Sequence, residues 1–325
     1  MKNRTRVIAG FVFFLSGTFS AAADYPSRPI TLVVPYAAGG SNDSLSRVVA
    51  ERMSKLLGQP IVIENEPGAA GTTAAARAAR AAPDGYTIMM GNMGTHAVAP
   101  AQYPNLKYDP SGDFTPIGLA AEVPAVIVTR KDLPTANLQE FVAYVRENQD
   151  KVNEAHVGVG SPTHTFCTLL HSLMGTKTAR VAYRGGAPAM NDLVGGQVDF
   201  SCISLSGALG QIQAGAVKAI AIASPKRSQM LKDLPTTAEG GLPEFQVSAW
   251  NAVFAPKGLS AAIQARLNGA LMTVLDEEAT RNRLLSMGFE IPEASQRTPQ
   301  GLQALVQGEV VRWKTVLKGI DVPAN

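Results

Sequence analysis

Three short segments of the chain combine glycines with polar side chains, and each directly follows an apolar run that is typical of a β-strand. They span residues 35–43, 92–96 and 160–164. In an open α/β sheet, such loops lie beyond the carboxyl ends of the strands, where ligands bind against the N-termini of the following helices. Free backbone N–H groups and the positive end of a helix attract anions without any lysine or arginine. The three segments therefore predict an anion site, although a pair of glycines by itself also fits a tight turn.

Asp43, at the end of the first segment, has two interpretations. A helical pattern begins here, and aspartate is common as the N-cap of a helix. Alternatively, the carboxylate accepts a hydrogen bond from a water molecule or from a protonated group of a ligand. Composition favours the cap. Arg47 lies one helical turn later, where it either pairs with Asp43 or faces solvent.

Motifs of common enzymes and metal sites are absent from the sequence. Ser161 and His164 lie three residues apart and would suit a secreted hydrolase, but no G-x-S-x-G motif surrounds a serine. The sequence also has no H-E-x-x-H or C-x-x-C motif for zinc, no P-loop, and no G-x-G-x-x-G motif for a dinucleotide. We therefore expect no catalytic residues, no metal and no cofactor, and the hydrolase is kept only as an alternative.

The elements that position these loops alternate between short apolar strands and helices, as in βαβ units with a parallel sheet. The pattern predicts strands over residues 30–35, 61–64, 87–90, 155–159, 179–183, 198–203 and 217–223, with further apolar segments at 125–129 and 247–255. It predicts helices over residues 43–57, 68–82, 137–148, 187–195, 260–278 and 298–317, and one that follows the loop at 160–163 and runs to about residue 174. We expect two α/β lobes, residues 24–124 with 246–325 and residues 125–245, so the chain crosses twice between them. Two crossings without a long linker suit a hinged pair with a ligand cleft between the lobes.

Residues 1–23 have the pattern of a secretory signal peptide, with a basic start, an apolar run and a cleavage site near Ala23. This leader carries three of the 29 basic residues and no acidic residue, which leaves 26 of each sign in the mature chain. Because the mature chain has no net positive charge to attract nucleic acid, we expect it to bind none. The signal-peptide pattern predicts a periplasmic location. The only two cysteines, Cys167 and Cys202, either pair in this oxidising compartment or remain buried thiols.

Short motifs along the mature chain form a specific combination. The first segment reads Val34-Pro35-Tyr36-Ala37-Ala38-Gly39-Gly40 and is followed by Asp43 and Arg47. Further motifs are Pro67-Gly68-Ala69-Ala70-Gly71, Pro83-Asp84-Gly85-Tyr86, Gly94-Thr95-His96, Tyr108-Asp109-Pro110, Asp113-Phe114-Thr115-Pro116-Ile117, Tyr183-Arg184-Gly185, Gly195-Gly196-Gln197-Val198-Asp199 and Phe254-Ala255-Pro256. The combination covers essentially the whole mature chain. It resembles the Bug family, the solute-binding proteins of tripartite tricarboxylate transporters.

The resemblance implies a two-lobe periplasmic-binding-protein fold of type II, in which each lobe is a Rossmann-like sheet flanked by helices. Such a receptor closes on a small carboxylate, held by backbone N–H groups and bridging waters, and delivers it to the membrane subunits of the transporter. An alternative is a sensor that docks on a histidine-kinase ectodomain, and a monomer is the expected state. The implied ligand-binding residues are Tyr36, Ala38, Gly39, Gly40, Asp43, Thr95, His96, Ser161, Thr163, His164, Arg184 and Gly185. The amide of Asn92 in the second loop completes the predicted set.

The resemblance also bears on the cysteines and on the ligand. Cys167 and Cys202 match positions where some family members carry a cysteine pair, which favours a disulfide. After Cys202 the chain continues Ile203-Ser204, where members with that pair often have Asp-Gln. An acidic partner for a ligand ammonium group is therefore missing at this point. The departure favours a plain carboxylate (a di- or tricarboxylate) or an aromatic carboxylate over an amino acid.

Overall fold

The computed structural model describes residues 25–158 and 161–318, so the predicted signal peptide lies outside the described residues. The described residues form an α/β structure, as predicted. The strands are β1 (Ile30–Val34), β2 (Ile61–Asn65), β3 (Thr87–Asn92), β4 (Phe114–Arg130), β5 (Asn153–His156), β6 (Ala179–Ala182), β7 (Phe200–Ser204), β8 (Val217–Ile222) and β9 (Ser248–Pro256). The helices are α1 (Ser41–Leu57), α2 (Thr72–Ala79), α3 (Ala99–Gln102), α4 (Leu138–Glu147), α5 (Pro162–Met174), α6 (Gly186–Val194), α7 (Leu205–Gln213), α8 (Ala261–Asp276), α9 (Glu278–Ser286) and α10 (Pro299–Val316).

The strands pair in the order β2-β1-β3-β9-β4-β7-β5-β6, and β8 also pairs with β4. β1 is parallel to β2 and β3, and β5 is parallel to β6 and β7. The sheet has two parts, one with β1, β2, β3 and β9 and the other with β5, β6, β7 and β8, and the long strand β4 belongs to both. Its residues 114–124 pair antiparallel with β9, and its residues 125–130 pair antiparallel with β7 and β8. The paired strands β4 and β9, called here the β4–β9 ribbon, therefore join the two parts of the sheet.

The first strand and helix show how the sequence produces this packing. In β1, Leu32 and Val34 belong to one buried cluster and Val33 to another, because successive side chains of a strand point to opposite faces. The buried apolar side chains of α1 recur at helical spacing, at Leu45, Val48, Val49, Met53 and Leu57. Gly58 ends the helix in the left-handed conformation, where its N–H donates to Ser54 O at 3.0 Å. This burial fixes the N-terminus of α1 beside the loop that follows β1.

The structure differs from the predicted elements in three places. Strand β4 begins at Phe114, well before the apolar segment at residues 125–129. The helix predicted over residues 68–82 is shortened, because Ala69 and Ala70 have positive φ angles and form a 3-10 turn with Gly71 ahead of α2. Helices α3, α7 and α9 were not predicted, and Glu277, in an extended conformation, separates α8 from α9. No helix within residues 25–158 or 161–318 combines the length and the hydropathy needed to cross a membrane.

Candidate functional site

A cavity of about 310 Å³ lies where loops from the two parts of the sheet meet. Residues that follow β1 and β3 line it together with residues that follow β5 and with one residue of the β4–β9 ribbon. The lining residues are Tyr36, Ala70, Asn92, Met93, Gly94, Val98, Gln102, Tyr103, Val157, Ser161, Pro162 and Ala249. No acidic or basic side chain among the described residues lines this cavity. A ligand here must be held by neutral donors, helix N-termini and apolar contacts.

Two larger cavities, of about 650 and 720 Å³, lie elsewhere on the surface. Both are lined by several charged side chains, and none of the predicted binding residues lines either of them. The smaller cavity, by contrast, contains Tyr36, Asn92 and Ser161, one from each of the three predicted loops. The structure thus brings the three loops together, and this cavity is the candidate site. Within the described residues, no group of three or more His, Cys, Asp or Glu side chains is arranged to hold a metal ion.

Asp43 stabilises the first loop through hydrogen bonds to its carboxylate. Its Oδ2 accepts the backbone N–H of Gly39 at 2.9 Å, and its Oδ1 accepts Nδ2 of Asn65 at 2.9 Å. Arg47 donates to both carboxylate oxygens, at 2.9 and 3.0 Å, which confirms the i,i+4 pair. These bonds, led by the one from Arg47, lower the pKa of Asp43 to about 2. The N-cap of α1 is Gly40, so the interpretation of Asp43 as the cap is wrong, because the helix starts two residues earlier.

Asn92 links the first loop to the second. Its Nδ2 donates to the Tyr36 hydroxyl at 3.0 Å, and its Oδ1 accepts the backbone N–H of Thr95 at 3.0 Å. The backbone N–H of Asn92 donates in turn to Thr95 Oγ1 at 3.1 Å. Burial raises the pKa of Tyr36, which therefore keeps its hydroxyl proton at neutral pH. The π-helical turn over Gly94–Val98 follows directly, an irregularity often found at functional sites.

His96 lies in the core behind the second loop. Its ring stacks on Phe254 with centroids 3.9 Å apart, and its Nδ1 contacts Thr95 Oγ1 at 2.8 Å. Burial lowers the pKa of His96 to about 3, so the ring is neutral. Gly91 makes room for it, because a Cβ at that position would lie 2.5 Å from the ring. His96 and Thr95 thus support the loop, and neither lines the cavity.

The third loop caps helix α5. Ser161 Oγ donates to Gly158 O at 2.7 Å and accepts the backbone N–H of His164 at 3.3 Å. Thr163 Oγ1 accepts the backbone N–H of Val157 at 3.0 Å. Pro162 occupies the first helical turn, where its missing N–H costs nothing. Ser161 and Pro162 thereby place the positive end of α5 at the wall of the cavity.

The imidazole of His164 is buried on α5, close to two other basic groups. Its Nε2 lies 3.4 Å from Nη1 of Arg180, and its ring centroid lies 5.1 Å from that of His156. Burial, with the charges of Arg180 and His156, lowers the pKa of His164 to about 4. The ring is therefore neutral at physiological pH. It lies behind the cap of α5 and does not line the cavity.

The remaining predicted residues lie outside the cavity lining. Ala38, Gly39 and Gly40 form an exposed approach to α1, and Gly39 has a φ angle of 87°. Arg184 is exposed ahead of α6, and Gly185 is the N-cap of that helix. Their roles in binding, like those of Asp43, Thr95, His96, Thr163 and His164, stay predictions.

Three lining residues, Met93, Gly94 and Pro162, lie in the predicted loops but were not named individually as binding residues. Six others were missed by sequence reasoning, namely Ala70, Val98, Gln102, Tyr103, Val157 and Ala249. Most are small or apolar, and these types are common in every core and turn. Gln102 is the exception in chemistry, since its side chain is an amide that is 7% exposed. It ends the four-residue helix α3, for which the sequence offers no strong signal.

The cysteines form a disulfide between α5 and β7. Cys167 and Cys202 are bonded, with their Cα atoms 5.2 Å apart, which confirms the pairing favoured by the resemblance. The backbone N–H of Cys202 also points at the Cys167 sulfur, 3.0 Å away. The bond ties the helix whose N-terminus reaches the cavity to a central strand of the second part of the sheet.

Comparison with known proteins places this architecture in a family. The sequence model of the tripartite tricarboxylate transporter family receptor, TctC, matches residues 45–322. The chain belongs to this family. A relative from Agrobacterium vitis, the UPF0065 protein in the TAR-I ttuE-ttuC' intergenic region, is 41% identical over 91% of this chain and 86% of its own. The periplasmic binding protein BugD has a solved structure that is 40% identical, with a TM-score of 0.76 over 90% of this chain and 98% of its own.

Two solved structures of similar proteins contain carboxylates. MatC from Rhodopseudomonas palustris with bound malate is 44% identical, with a TM-score of 0.77, and the match covers 90% of this chain and 100% of that chain. R. palustris Rpa4515 with adipate is 34% identical, with a TM-score of 0.78, and the match covers 91% and 98% of the two chains. These neighbours confirm the periplasmic-binding-protein fold.

The family consists of solute-binding receptors and not of enzymes, so the hydrolase alternative is not supported. The structure offers a physical reason. The hydroxyl of Ser161 is held by Gly158 O and by the backbone N–H of His164, which are the contacts of a helix cap. A nucleophilic serine of the Ser-His type would instead donate a hydrogen bond to an imidazole nitrogen that can accept its proton.

Proposed function

We propose that the protein is a periplasmic receptor that binds a small carboxylate in the 310 Å³ cavity. The observation that carries the proposal is the uncharged lining, contributed by both parts of the sheet and placed against the N-terminus of α5. A carboxylate gains from that helix end and from neutral donors such as Asn92 without needing a cation. The malate and adipate present in the two related structures agree with a di- or tricarboxylate, and an aromatic carboxylate is the second choice.

We propose that the ligand is captured by hinge closure. Strand β4 changes its pairing partners between Pro124 and Ala125, and strand β9 begins at Ser248. A bend of the β4–β9 ribbon at these positions would move residues 125–245 against residues 24–124 with 246–325. The cavity between them would open to admit the ligand and then close over it.

The proposed receptor delivers its ligand to the membrane subunits of a tripartite tricarboxylate transporter. The family description and the signal-peptide pattern of the first 23 residues support this role and the periplasmic location. We propose a monomer, as suits a hinged receptor. A strain lacking the gene should lose uptake of the ligand and regain it with the wild-type gene. Unchanged uptake in the deletion strain would contradict delivery.

Isothermal titration of ligand-stripped protein against di-, tri- and aromatic carboxylates and amino acids tests the binding function. We expect one-to-one binding of a carboxylate without turnover. Tyr36→Phe removes the hydroxyl that holds Asn92 at the cavity wall, and it should weaken binding about fivefold, since one hydrogen bond contributes about 1 kcal/mol. Tyr144→Phe, on α4 away from the cavity lining, is the matched control and should bind normally. No binding to any carboxylate would overturn the proposal.

A further inference from the structure

One polar side chain in the cavity wall lacks the partner that its burial requires. Gln102 is 7% exposed, lines the cavity, and has an amide Nε2 without any hydrogen bond in the described part of the chain. Buried polar groups are almost always hydrogen-bonded, and an unsatisfied one costs about 1–3 kcal/mol. Among the side chains that line this cavity, Gln102 alone is in this condition within the described residues. An acceptor brought by a ligand would satisfy it.

Two other polar side chains of the cavity already have hydrogen-bond partners within the protein. Asn92 Nδ2 donates to Tyr36, and the Ser161 hydroxyl donates to Gly158 O. Tyr36 and Asn92, joined by this hydrogen bond, form one polar part of the wall, and Ser161 at the N-terminus of α5 also lines the cavity. Gln102 lies at the opposite end of the helical segment that begins with Gly94, roughly 10–12 Å away along the axis at about 1.5 Å per residue. Its long side chain shortens this separation, because side chains of a helix lean toward the N-terminus.

A ligand that spans this separation needs polar groups at both ends. The cavity contains no lysine or arginine in its described lining, so a second carboxylate must be met by a neutral donor. The lining around Gln102 is apolar at Val98 and aromatic at Tyr103, which suits the methylene chain of an aliphatic acid. We propose that Gln102 donates a hydrogen bond to the second carboxylate of the ligand and thereby selects a dicarboxylate over a monocarboxylate. This inference rests on the proposed receptor function.

The test compares acids of matched length that differ in one carboxylate, succinate against butyrate and adipate against hexanoate. Titrations use the wild-type chain, Gln102→Leu and Gln102→Glu. Gln102→Leu should weaken binding of the preferred dicarboxylate about 10- to 100-fold, the range for a hydrogen bond to a charged group, and leave the matching monocarboxylate within about twofold. Gln102→Glu keeps the length of the side chain but adds a negative charge, so it should weaken the dicarboxylate more than Gln102→Leu does.

Gln211→Leu is the control, because this glutamine is exposed on α7 and does not line the cavity. Circular dichroism of each variant shows whether it is folded, and Gln102→Glu serves if Gln102→Leu is not. Equal losses for the mono- and dicarboxylate of a pair, or no loss for either, would overturn the inference and leave Gln102 as a structural residue. A wild-type protein that binds no carboxylate would instead overturn the proposed function, and this inference with it.

Discussion

Replacing Glu122 by glutamine should stabilise the protein increasingly as the pH rises above about 4.5 and leave its stability unchanged at pH 4. Glu122 lies in the β4–β9 ribbon, where its backbone exchanges two hydrogen bonds with Glu290, at 2.9 and 2.7 Å. Its carboxyl group makes no hydrogen bond to the described residues. It faces a cavity of about 220 Å³ that Glu290 and Glu309 also line. Burial, with the negative charges of Glu290 and Glu309, raises the pKa of Glu122 to about 7.

The size of the effect follows from this pKa. An ordinary glutamate has a pKa of 4.5, so between pH 4.5 and about 7 the folded protein holds a proton that the unfolded chain has lost. The contribution of Glu122 to stability is therefore fully present below pH 4.5 and is lost as the pH rises to about 7. At about 1.4 kcal/mol for each pH unit, the full loss is about 3 kcal/mol above pH 8. Glutamine has the shape of the protonated acid and carries no charge, so it avoids this loss.

Urea unfolding of the ligand-free protein at pH 4, 6 and 8 measures the difference between variant and wild type. We expect Glu122→Gln to be about 3 kcal/mol more stable at pH 8, with a smaller gain at pH 6 and none at pH 4. Glu293→Gln is the matched control, because Glu293 is exposed and pairs with Lys226 at 2.9 Å, and it should show no such gain. A constant difference between Glu122→Gln and wild type across the three pH values would refute the buried, protonated carboxyl group.

Three further predictions concern the first loop and the disulfide. Asp43→Asn should weaken carboxylate binding about tenfold in titrations at pH 7, and unchanged affinity would contradict the role of the loop. Because the pKa of Asp43 is lowered to about 2, the loss of folding stability in Asp43→Asn relative to wild type should shrink below pH 4. The exported protein should be about 2 Da lighter than its dithiol form by mass spectrometry, and two alkylatable thiols after unfolding would exclude the disulfide. Replacing Cys167 and Cys202 by alanine should lower the free energy of unfolding in urea by about 2–4 kcal/mol. Gly71→Ala should lower both stability and affinity, since Gly71 has a φ of 89° and its new Cβ would lie 2.9 Å from side chains of both neighbouring loops. The control Gly269→Ala places its Cβ in open space on α8 and should be neutral or stabilising. Equal behaviour of the two variants would contradict the close packing at Gly71.

Elements with a strong local pattern were predictable from the sequence. The β-branched run at β1, the glycine pair after it and the apolar spacing of α1 gave a strand, a loop and a helix where the structure has them. The first half of β4 was not predictable in this way, because Pro116, Gly118 and Pro124 interrupt its apolar residues. The strand tolerates them partly through irregular pairing, since its register with β9 shifts between Pro116 and Gly118. Tertiary pairing therefore overrides the local signal in the ribbon that connects the two parts.

The same distinction holds for the candidate site. Glycines and polar groups after strands marked the three loops, and at least one residue of each lines the cavity. The pattern did not separate residues that face the cavity from residues that support them. Asp43 and His96 have the most reactive groups of their loops, yet one binds Arg47 and the other stacks on Phe254. Burial and packing partners decide this difference, and neither is encoded in local spacing.

The uncharged lining of the proposed site is compatible with more than one carboxylate. Two related structures of the same fold contain malate and adipate, acids that differ in length and hydroxylation. In the proposed site, a helix N-terminus and neutral donors would contact one carboxylate alone, so they would not distinguish acids of different length. Discrimination must then come from the few side chains that meet the rest of the molecule. In this chain the apolar wall at Val98 and the unpartnered amide of Gln102 are such groups, so substitutions there should change which acid binds, whereas substitutions in the first loop should weaken all acids alike.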